Sequence, residues 1–151
     1  MLHSVCDGKD VGGTILLIAT QINHGKESIL KDDELCLPVA KLNMAAGKMA
    51  IDSCRHKTAY VYLKVASSLL PNDHWESHYD ISLRLGFMMA SAANSSCKYD
   101  DAENILRRIL KDARCTKDKL PSYFLLSQSE CSILYCVLAL TRSLISYFSN
   151  N

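Results

Sequence analysis

A short pattern occurs twice in this chain at a spacing of 43 residues: an aromatic or imidazole side chain, two polar residues, an alanine, and a leucine four positions later. The first copy begins at His56 and the second begins at Tyr99. Repetition with a period of roughly 20 to 50 residues is typical of proteins built from stacked supersecondary units. The pattern therefore predicts helical hairpins rather than an enzyme core.

Positions around the two copies keep the same spacing. Small residues precede each copy, where the first helix of a hairpin has to approach the second closely, and aliphatic residues follow on one face of the second helix. This order predicts antiparallel hairpins of the tetratricopeptide type, although the period exceeds the roughly 34 residues of the tight form of that repeat. The repeat-defining residues are Gly47, Ala50, His56, Ala59 and Leu63 in the first copy, and Ala90, Ala93, Tyr99, Ala102 and Leu106 in the second.

The composition is that of one helical domain. The chain has 151 residues, of which 48% are hydrophobic and 22% are charged, as is ordinary for a soluble globular protein. It contains only six glycines and three prolines, so residues that break helices are scarce. Its net charge of +1 produces no field that would attract nucleic acid or an anionic membrane. We therefore expect neither of them as a partner.

The seven cysteines form no Cys-x-x-Cys pair and have no zinc-like spacing with histidine. Several of them fall on apolar helical faces, which predicts reduced, buried thiols in a cytoplasmic protein. The first ten residues lack the charged and apolar regions of a secretory signal. No cofactor, metal ion or catalytic residue is predicted.

The chain is predicted to contain three parts. Two consecutive glycines near the start predict a flexible segment, after which Thr14 is a suitable N-cap for a first helix. Pro71 ends a helix and separates two hairpins, and one long helix is predicted from about His74 to Asn94. The predicted parts are a flexible start at 1–13, a helical-repeat domain at 14–115 with hairpins at about 34–70 and 74–114, and an apolar C-terminal helical segment at 116–151 that is divergent or truncated, because no third copy of the pattern follows.

Several motifs, taken in order, resemble one region of large signalling ATPases. That region is the helical-repeat segment after the nucleotide-binding module in multidomain proteins that combine a serine/threonine-kinase-like domain, an AAA or STAND-type predicted ATPase and, often, a sensor histidine kinase. The motifs are IATQINHG (18–25), VAKLNMAAGK (39–48), YL (62–63), LLPNDHWE (69–76) and YDDAE (99–103).

The resemblance covers about residues 15–115 and implies an all-α, tetratricopeptide-like array that relays or restrains. The phosphate-binding loop, kinase motifs and phospho-accepting histidine of that family belong to other domains, so a non-enzymatic module is expected here. Its partner would be a protein or the neighbouring domains of a longer signalling protein. We expect the concave side to be formed by the first helix of each hairpin, around Leu42, Ala46, Leu83 and Phe87.

A metal-dependent enzyme is one alternative. His74 and His78 are four residues apart, and two histidines at that spacing on one helix can share a metal ion, with Asp80 as a further ligand. The plainer interpretation is a helix start that is capped by Asp73, with Trp75 packed beneath the first hairpin. We favour the plainer interpretation because neither Asp80 nor any other candidate third ligand has the spacing that would complete a site.

A membrane-attached protein is the other alternative. Residues 131–148 form an apolar stretch that approaches the length needed to span a bilayer, but Arg142 and the interspersed serines are costly there. The stretch is also compatible with a core helix whose apolar faces pack on a further repeat. We favour the core helix.

Overall fold

The computed structural model describes the backbone of residues 8–30 and 32–149, and the side chains of residues 12–26, 28–30, 32–131, 134, 137, 138 and 141. Every regular element in these ranges is a helix, which confirms the all-α prediction. In chain order the helices are α1 (Gly8–His24), α2 (Lys26–Ile29), α3 (Asp33–Asp52), α4 (His56–Leu69), α5 (His74–Ser77), α6 (Tyr79–Ser95), α7 (Tyr99–Asp112) and α8 (Thr116–Ser149).

Each long helix packs against the next one along the chain. Helix α3 packs on α4, and α6 packs on α7; because only three residues connect the helices of each pair, the two partners are antiparallel. These pairs lie within the predicted hairpins at 34–70 and 74–114. The hairpins are joined by contact between α4 and α6, while α1 packs on α3 and α8 packs on α7 and α6.

The repeat-defining residues form the contacts between paired helices. The small residues and leucines among them are buried, and His56 and Tyr99 are half-buried. A Cβ atom on Gly47 would lie 2.7 Å from Cγ and Cδ2 of Leu63, and one on Gly86 would lie 2.9 Å from Cδ1 of Ile109. Both hairpins therefore use a glycine in the first helix to admit an aliphatic side chain of the second, but the two glycines are not at equivalent positions in the repeat.

The turns inside the two hairpins also repeat. Cys54 has a φ of 56° and Cys97 has a φ of 60°, and they are 43 residues apart. The following amides close the same bond, from Arg55 N–H to the Ala50 carbonyl at 2.8 Å and from Lys98 N–H to the Ala93 carbonyl at 2.9 Å. Both helices thus end in a Schellman-type motif whose left-handed residue, most often glycine, is a cysteine.

The prediction that the cysteines are buried is largely wrong. Cys36 is half-buried, whereas Cys54, Cys97, Cys115 and Cys131 are exposed, and all five are free thiols. Cys54 and Cys97 lie in the turns of the two hairpins, where their side chains are exposed to solvent. The side chains of Cys6 and Cys136 lie outside the described residues.

The predicted flexible start at 1–13 is wrong from residue 8 onward. Helix α1 begins at Gly8 rather than after Thr14, and both Gly12 and Gly13 lie inside it. Gly12 is buried and lies against the side chain of Met49. Packing on α3 outweighs the poor helix propensity of the two glycines. Residues 1–7 lie outside the described residues.

The predicted long helix from His74 to Asn94 is interrupted at His78, where φ is −134° and ψ is 48°. The side chain of Ser82 lies within hydrogen-bonding distance of two backbone carbonyls, that of His74 at 2.8 Å and that of His78 at 3.0 Å. Serine side chains that bond to nearby backbone in this way compete with regular helix geometry. The predicted helix is therefore divided into α5 and α6.

Helix α8 is fastened to the second hairpin at its start. The Tyr79 hydroxyl donates to Oδ2 of Asp118 at 2.7 Å and accepts from the Arg114 N–H at 2.9 Å. The Arg114 guanidinium lies over the Tyr79 ring at 4.3 Å and donates to the carbonyls of Trp75 and Glu76. The segment predicted at 116–151 is thus joined directly to the array.

A groove shared by the two hairpins

The first helices of the two hairpins, α3 and α6, line one continuous groove. Its narrower part has a volume of about 320 Å³, and a wider part of about 610 Å³ extends to the start of α8. Lys48, Arg84 and Met88 line both parts. We call this surface the α3–α6 groove.

The groove follows the 43-residue repeat. Residues at equivalent positions of the two hairpins line it, so each hairpin contributes the same helical face. A single hairpin could not form such a surface, because each supplies only one wall. The equivalent pairs are Lys41 with Arg84, Met44 with Phe87, Ala45 with Met88, and Lys48 with Ser91.

Of the four residues predicted for the concave side, one lines the α3–α6 groove. Phe87 lines the groove, but Ala46 is fully buried and Leu83 packs into the second hairpin around Leu106; Leu42 is half-buried and is not among the lining residues. A hydrophobic pattern in the sequence identifies the residues that face a partner helix. The groove wall contains long, amphipathic side chains, which do not belong to that pattern. A search for charged residues that recur at the 43-residue spacing would have found Lys41 and Arg84 on the groove wall.

The groove combines an apolar floor with cations on its rim. Met44, Met88 and Phe87 supply apolar surface, and methionine adapts readily to differently shaped partners. Within the described part of the chain, no ion pair is found for Lys41 or Arg84. An amphipathic segment with apolar side chains on one face and carboxylates beside them has the complementary chemistry.

The groove also contains two carboxylates, which limit its positive charge. Lys48 forms an exposed ion pair with Asp52 at 3.0 Å, and such a pair contributes little to stability. Asp80 lines the narrower part near Arg84. Two cations at equivalent positions, Lys41 and Arg84, form no ion pair among the described residues. They give the groove a modest preference for acidic partners.

The residues of the metal alternative do not form a metal site. Nδ1 of His74 lies 2.6 Å from Oγ of the buried Ser82, and the break at His78 places the two histidines outside one regular helix. Burial, followed by the nearby Arg108 charge, lowers the pKa of His74. Among the described residues, no group of three histidines, cysteines or carboxylates is arranged to hold a metal ion.

The plainer interpretation of the same segment is correct in outline and wrong in two details. Asp73 precedes α5, but its side chain makes no capping hydrogen bond. Trp75 packs on the second hairpin, against the cluster of Ala90, Leu106 and Ile109, rather than beneath the first. Its buried indole N–H has no hydrogen-bond partner among the described residues, and it lines a small pocket of about 100 Å³.

Residues of three of the motifs that carry the family resemblance form hydrogen bonds between α1 and the first hairpin. Asn23 and the fully buried Asn43 exchange two amide hydrogen bonds, of 2.7 and 3.0 Å, and Asn43 also donates to the Val39 carbonyl at 3.0 Å. Nearby, the hydroxyls of Thr20 and Tyr62 are 2.7 Å apart. These motif residues hold α1 against the first hairpin, so their role is structural.

Two observations bear on the membrane alternative and on known relatives. No helix in the described part of the chain is both long and apolar enough to cross a bilayer; of the stretch at 131–148, only the side chains of residues 131, 134, 137, 138 and 141 belong to that part. The chain matches no protein-family model, no curated protein and no solved structure. The function of the α3–α6 groove must therefore be inferred from its own geometry, charge and repetition.

Proposed function

We propose that this chain is a non-enzymatic helical-repeat module of the tetratricopeptide type, whose function is to bind a protein segment in the α3–α6 groove. The observation that carries the proposal is the equivalence of the groove walls: Lys41 and Arg84, and the methionine or phenylalanine positions beside them, recur at the repeat spacing. Repeat proteins bind extended partners on concave surfaces to which successive units contribute equivalent positions.

The partner class follows from the chemistry of the groove. A helical or extended segment would place apolar side chains on Met44, Met88 and Phe87 and carboxylates beside Lys41 and Arg84. The resemblance to signalling ATPases supplies the biological setting of the proposal: the segment belongs to a cytoplasmic signalling partner or to neighbouring domains of a longer protein, and binding it relays or restrains their activity.

Binding to the groove is tested with a library of displayed peptides, which are selected for binding to the purified full chain. The peptides have about 15 residues, which is long enough for four helical turns. We expect enrichment of peptides that combine acidic residues with aliphatic residues three or four positions apart. Fluorescence anisotropy with the best peptide then compares Lys41→Glu/Arg84→Glu with a control, Lys57→Glu/Lys64→Glu, which makes the same charge change on exposed α4 positions.

The groove variant should weaken binding at least about tenfold, as expected from losing two rim charges of about 0.7 kcal/mol each, and the α4 control should not. Equal effects of the two variants, or a selection that enriches no acidic amphipathic class, would refute the assignment of the groove. The signalling context is tested separately, by whether the coding sequence beside this chain encodes a phosphate-binding loop ending in Gly-Lys-Ser/Thr.

A further inference from the structure

A stripe of exposed, mostly apolar residues runs along α8. Its positions are separated alternately by four and three residues, which places them on one side of the helix. All seven described positions are exposed, including Leu120 at 60%, Phe124 at 63%, Leu134 at 59% and Leu138 at 56%. We call this stripe the α8 seam; it comprises Leu120, Phe124, Ser127, Cys131, Leu134, Leu138 and Thr141.

The array itself does not cover the seam. The face of α8 that packs on α6 and α7 carries the buried Ser122 and Ser129 and the half-buried Leu125 and Leu126, which lie on the opposite side of the helix. Helix α8 has 34 residues and α7 has 14, which correspond to lengths of about 51 and about 21 Å. The C-terminal half of α8 therefore extends beyond the helix it packs on.

The spacing of the seam fits a helix of the same kind. Apolar residues that recur every 3.5 residues pack as knobs into the holes of a facing helix with the same spacing. From 120 to 141 the sequence has one charged residue, Glu130, so the seam has no pattern of charges that would select a different, charged helix. A seam that is apolar, uncharged and regularly spaced is complementary to itself, as a two-fold interface requires.

The two hydroxyl groups of the seam can be buried without leaving a donor unsatisfied. The Ser127 hydroxyl donates to the Phe124 carbonyl at 2.8 Å, and the Thr141 hydroxyl donates to the Leu138 carbonyl at 2.9 Å. Because both donors are satisfied within their own helix, pairing would leave no hydroxyl donor without an acceptor. Hydroxyl side chains therefore do not prevent the seam from losing its water.

The available area matches a modest dimer. Each large apolar side chain on this side, with the flanking Tyr123 and Val137 included, offers on the order of 100 Å². Six such side chains, exposed by 50 to 63%, offer at most on the order of 600 Å² per copy, or about 1,200 Å² in a pair, which is the lower limit for specific interfaces.

We propose that two copies of this chain associate through their α8 seams to form a closed two-fold dimer. This inference goes beyond the proposed peptide-binding function and does not depend on it, since the seam and the α3–α6 groove share only the edge formed by Phe124. An interface at the lower limit of size is typical of weak association, so the dimer is sought at micromolar concentrations.

The experiment is sedimentation equilibrium of the full chain, under reducing conditions and without peptide, at concentrations from about 1 to about 200 µM. The mass should rise from 16.8 kDa toward twice that value. The seam variant Leu134→Glu/Leu138→Glu should raise the dissociation constant more than about 100-fold, because it places two charges, and their counterparts in the second copy, within an apolar interface. The control Leu17→Glu/Val61→Glu changes two apolar residues of α1 and α4, each 61% exposed, and should dimerise normally.

Circular dichroism verifies that each variant remains helical; if the seam variant loses helix, Leu120→Glu, at the anchored start of α8, replaces it. The proposal is overturned by a protein that stays monomeric up to the highest concentration, by a seam variant that dimerises like the wild type, or by a control that loses the dimer equally. Association into an open series of larger species would also overturn it, since a two-fold interface closes at two copies.

Discussion

The reciprocal amide pair between Asn23 and Asn43 should contribute strongly to stability, and a double-mutant cycle can measure its contribution. Asn43→Ala removes three hydrogen bonds from a fully buried site; at about 1 kcal/mol each, the free energy of unfolding should fall by about 3 kcal/mol. Asn23→Ala leaves one N–H and the side-chain oxygen of Asn43 buried without partners, which costs about 2 to 3 kcal/mol.

In the double variant the shared pair is lost only once. We therefore expect a total loss of about 3 to 4 kcal/mol instead of the 5 to 6 kcal/mol of the two single losses, a coupling energy of about 2 kcal/mol. Urea unfolding followed by far-UV circular dichroism gives each value by linear extrapolation. Asn72→Ala, at an exposed position between the hairpins, is the matched control and should change stability by less than about 0.5 kcal/mol.

A coupling energy below about 0.5 kcal/mol would refute the reasoning, because independent sites are additive to within that amount. The position of the pair allows a second measurement. Since Asn23 lies in α1 and Asn43 in α3, loss of the pair should loosen α1 selectively. Limited proteolysis should then cut the connection around residues 25–32 faster in Asn43→Ala than in Asn72→Ala, and equal rates in the two variants would contradict the predicted role.

Three further predictions concern the turns and the joints between helices. Cys54→Gly and Cys97→Gly should each raise the free energy of unfolding by about 0.5 to 1 kcal/mol, because glycine adopts a positive φ without the steric cost of a Cβ; the corresponding alanine variants should show no gain in urea unfolding. Burial, with the hydrogen bond to Asp101, raises the pKa of Tyr60 to about 12. Because the folded protein keeps this proton longer than the unfolded chain, stability should fall as the pH rises from about 10 to about 12, and Tyr60→Phe should flatten this fall in pH-dependent unfolding. The Tyr79 hydroxyl holds the pKa of Asp118 below its usual range; Tyr79→Phe should raise that pKa in an NMR titration and speed amide exchange at Arg114, and an unchanged exchange rate would contradict the joint described for α8.

The parts of the fold that repeat could be predicted from the sequence, because burial leaves a visible pattern. Gly47, Ala59 and Leu63 recur as Ala90, Ala102 and Leu106 since each hairpin has to bring two helices into close contact. Small and aliphatic residues at a fixed spacing are sufficient to indicate that contact. The hairpin boundaries followed from the same spacing and from Pro71.

The break at His78 and the left-handed cysteines could not be predicted in this way. At the break, the Ser82 hydroxyl lies within hydrogen-bonding distance of two backbone carbonyls, one and two turns earlier. In the sequence, a serine at this position fits the hydrophobic pattern of an uninterrupted helix. The turn cysteines occupy a position where glycine or asparagine is the usual signal. The groove wall was missed for a related reason, because Lys41 and Arg84 have the composition of a solvated face and only their shared spacing distinguishes them.

The packing of α8 follows the same order as the repeat. Helix α8 contacts α7 and α6 just as α6 contacts α4 and α3. It therefore lies where the first helix of a third hairpin would lie. In each hairpin a second helix, α4 or α7, packs on the first helix. The outer face of α8 is the α8 seam, whose apolar members include Leu134 and Leu138. In the proposed dimer, α8 of a second copy packs on this face, so each α8 has a partner helix, as α3 and α6 have within the two hairpins.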